Sequence, residues 1–68
     1  MRDVAIRDSD IRLGQFLKLA DAVEVGSDVK LLLAAGQVEV NGVAEARRGR
    51  HLTKGDLVTV SGETLRVS

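Results

Sequence analysis

Two periodicities divide the chain. Apolar side chains recur at Leu13, Phe16, Leu17 and Ala20, the i, i+3, i+4 and i+7 positions of one helix face, while Gln15, Lys18 and Asp21 lie off that stripe. This spacing predicts a helix from about Leu13 to about Ala22. A second helix is expected to follow, with Val29, Leu32 and Leu33 as its buried stripe. Gly26 or Ser27 can start it, Asp28 in its first turn complements the positive end of the dipole, and Gly36 is placed to stop it in a left-handed cap. Two short helices with a tight link should pack against each other as a helical hairpin.

The period then changes to two. Val38 and Val40 alternate with Gln37 and Glu39, and Asn41-Gly42 supplies two residues that accept a positive φ, a strong hairpin signal. Val43-Ala44-Glu45 is the expected return strand. Lys54-Gly55-Asp56 reads as a turn, Leu57-Val58-Thr59-Val60 as a strand, Ser61-Gly62-Glu63 as a turn and Thr64 to Val67 as the last strand. Ahead of the helices, Val4-Ala5-Ile6 reads as a short edge strand or an extended arm. The expected fold class is α+β: a helical hairpin packed on a small, mostly antiparallel β-sheet, as one domain over residues 1–68.

Composition narrows the function classes. The chain has 68 residues, 44% of them apolar, enough for one modest core. Phe16 is its one aromatic residue, and the absence of cysteine removes disulfides and thiolate metal sites. No apolar run approaches the roughly 18 residues of a membrane span, and the opening MRDVAIRDSD has no signal-peptide core. A cytoplasmic protein with no membrane partner is expected. His51, the single histidine, has no cysteine to pair with, and no ligand spacing suggests a metal. The glycines form neither a GxxxxGK[ST] nor a GxGxxG loop. No catalytic residue, metal, cofactor or small-molecule substrate is therefore expected, and the chain reads as a non-enzyme.

Charge changes the picture by its placement. Ten Lys+Arg offset ten Asp+Glu. Asp3, Asp8, Asp10, Asp21, Glu24 and Asp28 crowd the first half, whereas between Glu45 and Asp56 there is no acid, only Arg47, Arg48, Arg50, His51 and Lys54. A neutral total thus hides a local basic patch. The planar fork of arginine suits phosphate bidentately. The plain alternative is a solvated connection between strands, and on composition the two stand level. His51 is most simply a surface residue beside the arginines, and otherwise an extra phosphate or base contact.

The ordered pieces carry a resemblance. They are Arg12-Leu13 and Phe16-Leu17 in the first helix, Lys30 with Leu32-Leu33 in the second, Gly36, Val38-x-Val40-Asn41-Gly42, and Gly55-Asp56 with Val58 and Val60. Over residues 11–60 the chain resembles the S-four-like RNA-binding domain, the alpha-L motif named for small-subunit ribosomal protein four. In detail it is similar to the small free-standing bacterial members, which carry an "LGQFLK" first helix and an "RRGR"-like segment after the hairpin.

The resemblance implies non-catalytic binding of structured RNA, of the ribosomal or transfer RNA class, by the helical hairpin and an adjacent loop. In larger members the module is an accessory to pseudouridine synthases or tyrosyl-tRNA synthetases, and those activities do not transfer here. Many members place Arg or Lys along the start and exposed face of the second helix, where this chain has Gly26, Leu31 and Ala34 and retains Lys30. The Asp that often follows Arg-Leu is Gly14, and a hairpin residue often basic is Glu39.

The candidate RNA contacts are Arg12, Lys18, Lys30, Arg47, Arg48 and Arg50, with His51 and Lys54 beside them. Lys18 is named for charge and exposure alone. A chain with one aromatic, expected to be buried, has little means of stacking on splayed bases. Recognition should rest on shape and phosphate geometry. The rival reading is a protein-interaction adaptor that keeps the fold and uses an exposed Leu31 as a contact. The sequence leaves open which RNA is bound and the oligomeric state, since a short edge strand at Val4-Ala5-Ile6 can pair with itself or cap the sheet.

Overall fold

A computed structural model of the chain describes residues 1–21 and 26–68, with the backbone alone described for residues 26–28. The elements are β1 (Arg2–Val4), β2 (Asp10–Arg12), α1 (Leu13–Leu19), α2 (Gly26–Ala34), β3 (Val38–Val40), β4 (Val43–Ala44), β5 (His51–Thr53), β6 (Leu57–Val60) and β7 (Glu63–Val67). Five strands form a sheet in the order β1-β7-β6-β3-β4, and β2 pairs with β5 as a separate two-stranded ribbon. Every pairing is antiparallel except that of β1 with β7. The architecture is the expected α+β class, two short helices on a mostly antiparallel sheet.

Alternation builds the sheet. Val38, Val40, Val58, Val60, Leu65 and Val67 turn inward and are buried, while Glu39, Thr59, Thr64 and Arg66 lie on the other face. Register sets Val40 opposite Val58, Val38 opposite Val60 and Val58 opposite Leu65, so branched side chains meet across each pair. Asn41 (φ 53°) and Gly42 (φ 83°) join the paired residues Val40 and Val43. Ser61 (φ 51°) and Gly62 (φ 79°) do the same between Val60 and Glu63. Two successive left-handed residues make a type I′ turn, whose twist matches that of the strands.

The helices close the other side of the core. Leu13, Phe16, Leu17 and Ala20 from the first, and Val29 and Leu33 from the second, pack with the inner sheet residues, Leu52 and Ile6. Gly36 (φ 72°) ends α2 as expected: its N–H donates to the Leu33 carbonyl and that of Gln37 to the Leu32 carbonyl, both at 3.1 Å. Helix α1 stops sooner than its stripe suggests. Ala20 is its C-cap, Asp21 turns left-handed at φ 58°, and the Arg2 guanidinium donates to the Ala20 carbonyl at 2.6 Å. That bond satisfies an acceptor the helix end would otherwise leave open. The roles of Ser27 and Asp28 at the start of α2 lie outside the described residues.

The expected edge strand at Val4-Ala5-Ile6 lies earlier in the chain, and two further features, the β2–β5 ribbon and the place of Arg12, were not expected. Strand β1 starts at Arg2 and runs along the sheet edge beside the last strand, where the Ile6 N–H donates to the Ser68 carbonyl (2.9 Å) and that of Ser68 to Val4 (3.0 Å). The β2–β5 ribbon gave no sequence signal, because each three-residue strand turns one apolar residue, Ile11 or Leu52, toward the core. Arg12, expected within the first helix, is instead the last residue of β2 and the N-cap of α1.

The ribbon is tied to the sheet by a polar clasp. The Asn41 amide oxygen accepts from the Leu57 N–H (2.9 Å), its NH2 donates to Asp56 Oδ1 (3.2 Å), and Asp56 Oδ2 accepts from the Thr53 N–H (2.9 Å). The Asn-Gly turn and the Gly-Asp turn are thus one contact. That fixes where β5, and the arginines before it, lie relative to the sheet.

Candidate nucleic-acid interface

The arginine stretch begins where the ribbon meets the helix. The Leu13 N–H donates to the Arg50 carbonyl at 2.8 Å and the Gly14 N–H to the Arg48 carbonyl at 2.9 Å. The first N–H groups of a helix have no partner within it, and here the loop supplies two. The Arg50 N–H donates to the Arg47 carbonyl at 3.2 Å, closing a turn over the four residues. The loop is therefore a docked cap on α1 rather than a loose connection.

Docking carries the Arg48 side chain across the first turn of α1. A Cβ placed on Gly14 would sit 3.5 Å from both Cβ and Nε of Arg48. Arg48 lines a cleft of about 240 Å³ with Arg12, Gly14, Gln15 and Gly49, and a second of about 160 Å³ with Lys30, Leu33, Ala34 and Ala46. Arg12, Arg48 and Lys30 thus form one row from the ribbon across the loop to α2. Lys18 is exposed and four residues beyond Gly14, so it shares the helix face over which Arg48 lies. Among the described residues none of Arg12, Lys18, Lys30 and Arg48 is in an ion pair.

Arg47 and Arg50 stand differently. Glu45, whose side chain is only 10% exposed, pairs with Arg47 Nε at 3.3 Å and Arg50 Nη1 at 3.1 Å. Hydrogen bonds from the Arg47 side chain, then from Arg50, then from the Arg47 main chain hold the Glu45 carboxyl down from 4.5 to about 2. The expectation of an arginine cluster without a neutralising acid is corrected here. Glu45 bounds the stretch in sequence, and the turn folds two of the three arginines back onto it. The carboxylate two residues before Arg47 was the available signal, but its reach to Arg50 depends on the turn.

The remaining candidates lie apart from the row. His51 Nδ1 is 2.9 Å from Asp10 Oδ2, a cross-strand diagonal on the ribbon. This is the plain surface role. Lys54 is in the turn beyond the far end of β5, roughly 10 Å along the strand from the arginine loop at the usual rise. Among the described residues no group of His, Cys, Asp and Glu could hold a metal ion, and no helix is long and apolar enough to cross a membrane.

This arrangement has relatives. The S4 domain family model matches residues 4–68. The chain belongs to the S4 domain family. This S4 domain is similar to a Bacillus subtilis (strain 168) protein named "Probable ribosome maturation protein RlbA", 44% identical over 59 residues that cover 87% of this chain and 83% of that one. It is 33% identical to YbcJ of Escherichia coli (strain K12) over 57 residues, 84% of this chain and 81% of that one. The solution structure of E. coli YbcJ, described as revealing an alpha-L motif involved in RNA binding, matches it with a TM-score of 0.74 at 29% identity, over 98% of this chain and 86% of that one. The 30S ribosomal protein S4e of Thermoplasma acidophilum matches with a TM-score of 0.66 at 22% identity, over 88% of this chain and 32% of that one, a likeness of fold alone.

Proposed function

We propose that this S4 domain is a non-catalytic RNA-binding module that engages structured ribosomal RNA in the cytoplasm through shape and phosphate contacts. The family and the RNA-binding motif described for YbcJ support RNA as the partner, and the name of the B. subtilis relative points to the ribosome. The observation that carries the reading on this chain is Arg48, which lies between Arg12 on one side and Lys30 on the other. Three cations in a row on docked backbone suit successive phosphates of one strand. Lys18 extends the row, and Arg47 and Arg50 flank it. His51, engaged by Asp10, and Lys54, at the other end of β5, are peripheral.

Base stacking is not the means, because Phe16 is fully buried. A-form RNA presents phosphates and a shallow groove that a row of cations can follow. With two or three phosphates engaged, log affinity should fall against log salt with a slope of roughly −2 to −3. Sequencing the RNA that co-purifies at low salt tests the reading. Ribosomal RNA should be enriched with the wild type and reduced to background with Arg48→Gln combined with Lys30→Gln. An unchanged RNA profile in that variant would remove the row from the site.

A further inference from the structure

A carboxylate inside a loop that attracts a polyanion works against the loop's charge, and Glu45 is held there by an unusually complete set of donors. Its Oε2 accepts from the Ala46 N–H (3.1 Å), the Arg47 N–H (3.2 Å) and Arg47 Nε (3.3 Å), and its Oε1 from Arg47 Nη2 (3.4 Å) and Arg50 Nη1 (3.1 Å). The Arg47 guanidinium meets both oxygens side by side, the fork geometry that also fits phosphate. Two successive main-chain N–H groups facing one anion add the concave donor arrangement found in phosphate sites. These are the kinds of donor that hold a phosphodiester oxygen.

We infer that Glu45 is an internal stand-in for an RNA phosphate, and that by competing for Arg47 and Arg50 it sets both the affinity and the selectivity of the surface. The inference rests on the RNA-binding reading and deepens it. Arg47, with a side chain 79% exposed, is the outer and more easily exchanged partner, while Arg50, at 34%, is the inner one. A lone phosphate reaching the loop has to displace a carboxylate that is already in place. An RNA first seated on Arg12, Arg48 and Lys30 brings its neighbouring phosphate at high effective concentration, so the exchange becomes favourable. Glu45 thereby penalises RNA whose backbone offers phosphates singly and favours RNA whose fold presents several together, which is selectivity by a difference of affinities.

Glutamine separates charge from shape, because its amide oxygen still accepts from the main-chain N–H groups. The experiment is equilibrium binding by fluorescence anisotropy, over a range of salt, to protein-stripped bacterial ribosomal RNA and to poly-uridine. The proteins are the wild type, Glu45→Gln, Arg50→Gln, the double variant and Arg48→Gln. Glu45→Gln should tighten binding to both probes several-fold and poly-uridine more than ribosomal RNA, with the salt slope steeper by about one unit per recruited phosphate. For poly-uridine, which does not displace Glu45, Arg50→Gln should cost less than about twofold with Glu45 present, yet remove most of the gain in the Glu45→Gln background.

Unchanged or weaker binding by Glu45→Gln, with its thermal unfolding intact, would overturn the inference and make Glu45 a loop support. If Glu45→Gln does not fold, Arg47→Gln and Arg50→Gln in the otherwise wild-type chain decide. Effects on poly-uridine binding much smaller than that of Arg48→Gln, with larger ones on ribosomal RNA, sustain the competition, and effects on poly-uridine equal to that of Arg48→Gln end it. Failure of the underlying reading looks different: the wild type then binds neither RNA, and both the reading and the inference fall.

Discussion

Hairpin β3–β4 and ribbon β2–β5 are both antiparallel pairs of two or three residues a strand, yet different forces hold them. The hairpin closes through two left-handed residues, Asn41 and Gly42, and buries Val38 and Val40. Its partners are adjacent in sequence, so closing it costs little chain entropy. The ribbon joins segments 41 residues apart, as the Asp10–His51 contact measures, and buries Leu52 fully with Ile11 in part. It is completed by polar contacts to α1, to the Asp56 clasp and within the loop around Glu45. The hairpin is scaffold that the local sequence specifies, and the ribbon is the non-local piece that presents the arginines.

The largest test of that contrast is Leu52→Ala. Leu52 is the one fully buried side chain in the ribbon, so its loss should cost about 2–5 kcal/mol, measured by urea unfolding. Val43→Ala in the hairpin, where the side chain is 67% exposed, should stay within about 0.5 kcal/mol. Equal costs would erase the distinction.

Asp56→Ala should come next, at about 1–3 kcal/mol, because it strips the acceptor from the Thr53 N–H and from Asn41. It should also weaken RNA binding without touching a cation, by loosening the ribbon that carries the loop. Full affinity in a destabilised variant would show that the clasp does not position the arginines.

Glu45 adds a pH signature of smaller size. Its carboxyl is lowered from 4.5 to about 2 in the folded chain, so the folded state favours the ionised form. The contribution to stability is complete above about pH 4.5 and is lost as the pH falls through about 2. The difference in stability between the wild type and Glu45→Gln should therefore be flat from neutral pH down to about pH 5 and shrink toward pH 2. A difference that persists undiminished to pH 2 would contradict the ionic origin. The smallest effect belongs to His51→Gln: an exposed pair with Asp10 is worth at most about 1 kcal/mol, and RNA affinity should hold within about twofold. A large loss of affinity would return His51 to the contact surface.

The same contrast explains what could be read in advance. The helix stripes, the Gly36 cap and both hairpin turns were legible because each is set by residues a few positions apart. The ribbon was not, since one inward residue per strand shows no alternation and its partner is distant. That is also why Arg12 was placed in the helix and not at the end of β2. The arginines were legible as a cluster, but their division was hidden: Arg48 spans two clefts while Arg47 and Arg50 fold onto Glu45, and the turn decides which does which. Asn41 and Asp56 were recognisable as separate pieces of a family pattern. Their 3.2 Å contact supplies the physical reason that both are there.

The most direct measurement is amide chemical-shift mapping by heteronuclear NMR while protein-stripped bacterial ribosomal RNA is titrated in. The account predicts that shifts or broadening concentrate at Gly14, Lys30, Arg48 and Gly49, with the Asn41-Gly42 and Ser61-Gly62 turns unmoved. Perturbation centred on the outer sheet face at Glu39, Thr59, Thr64 and Arg66, with the arginine loop silent, would contradict it.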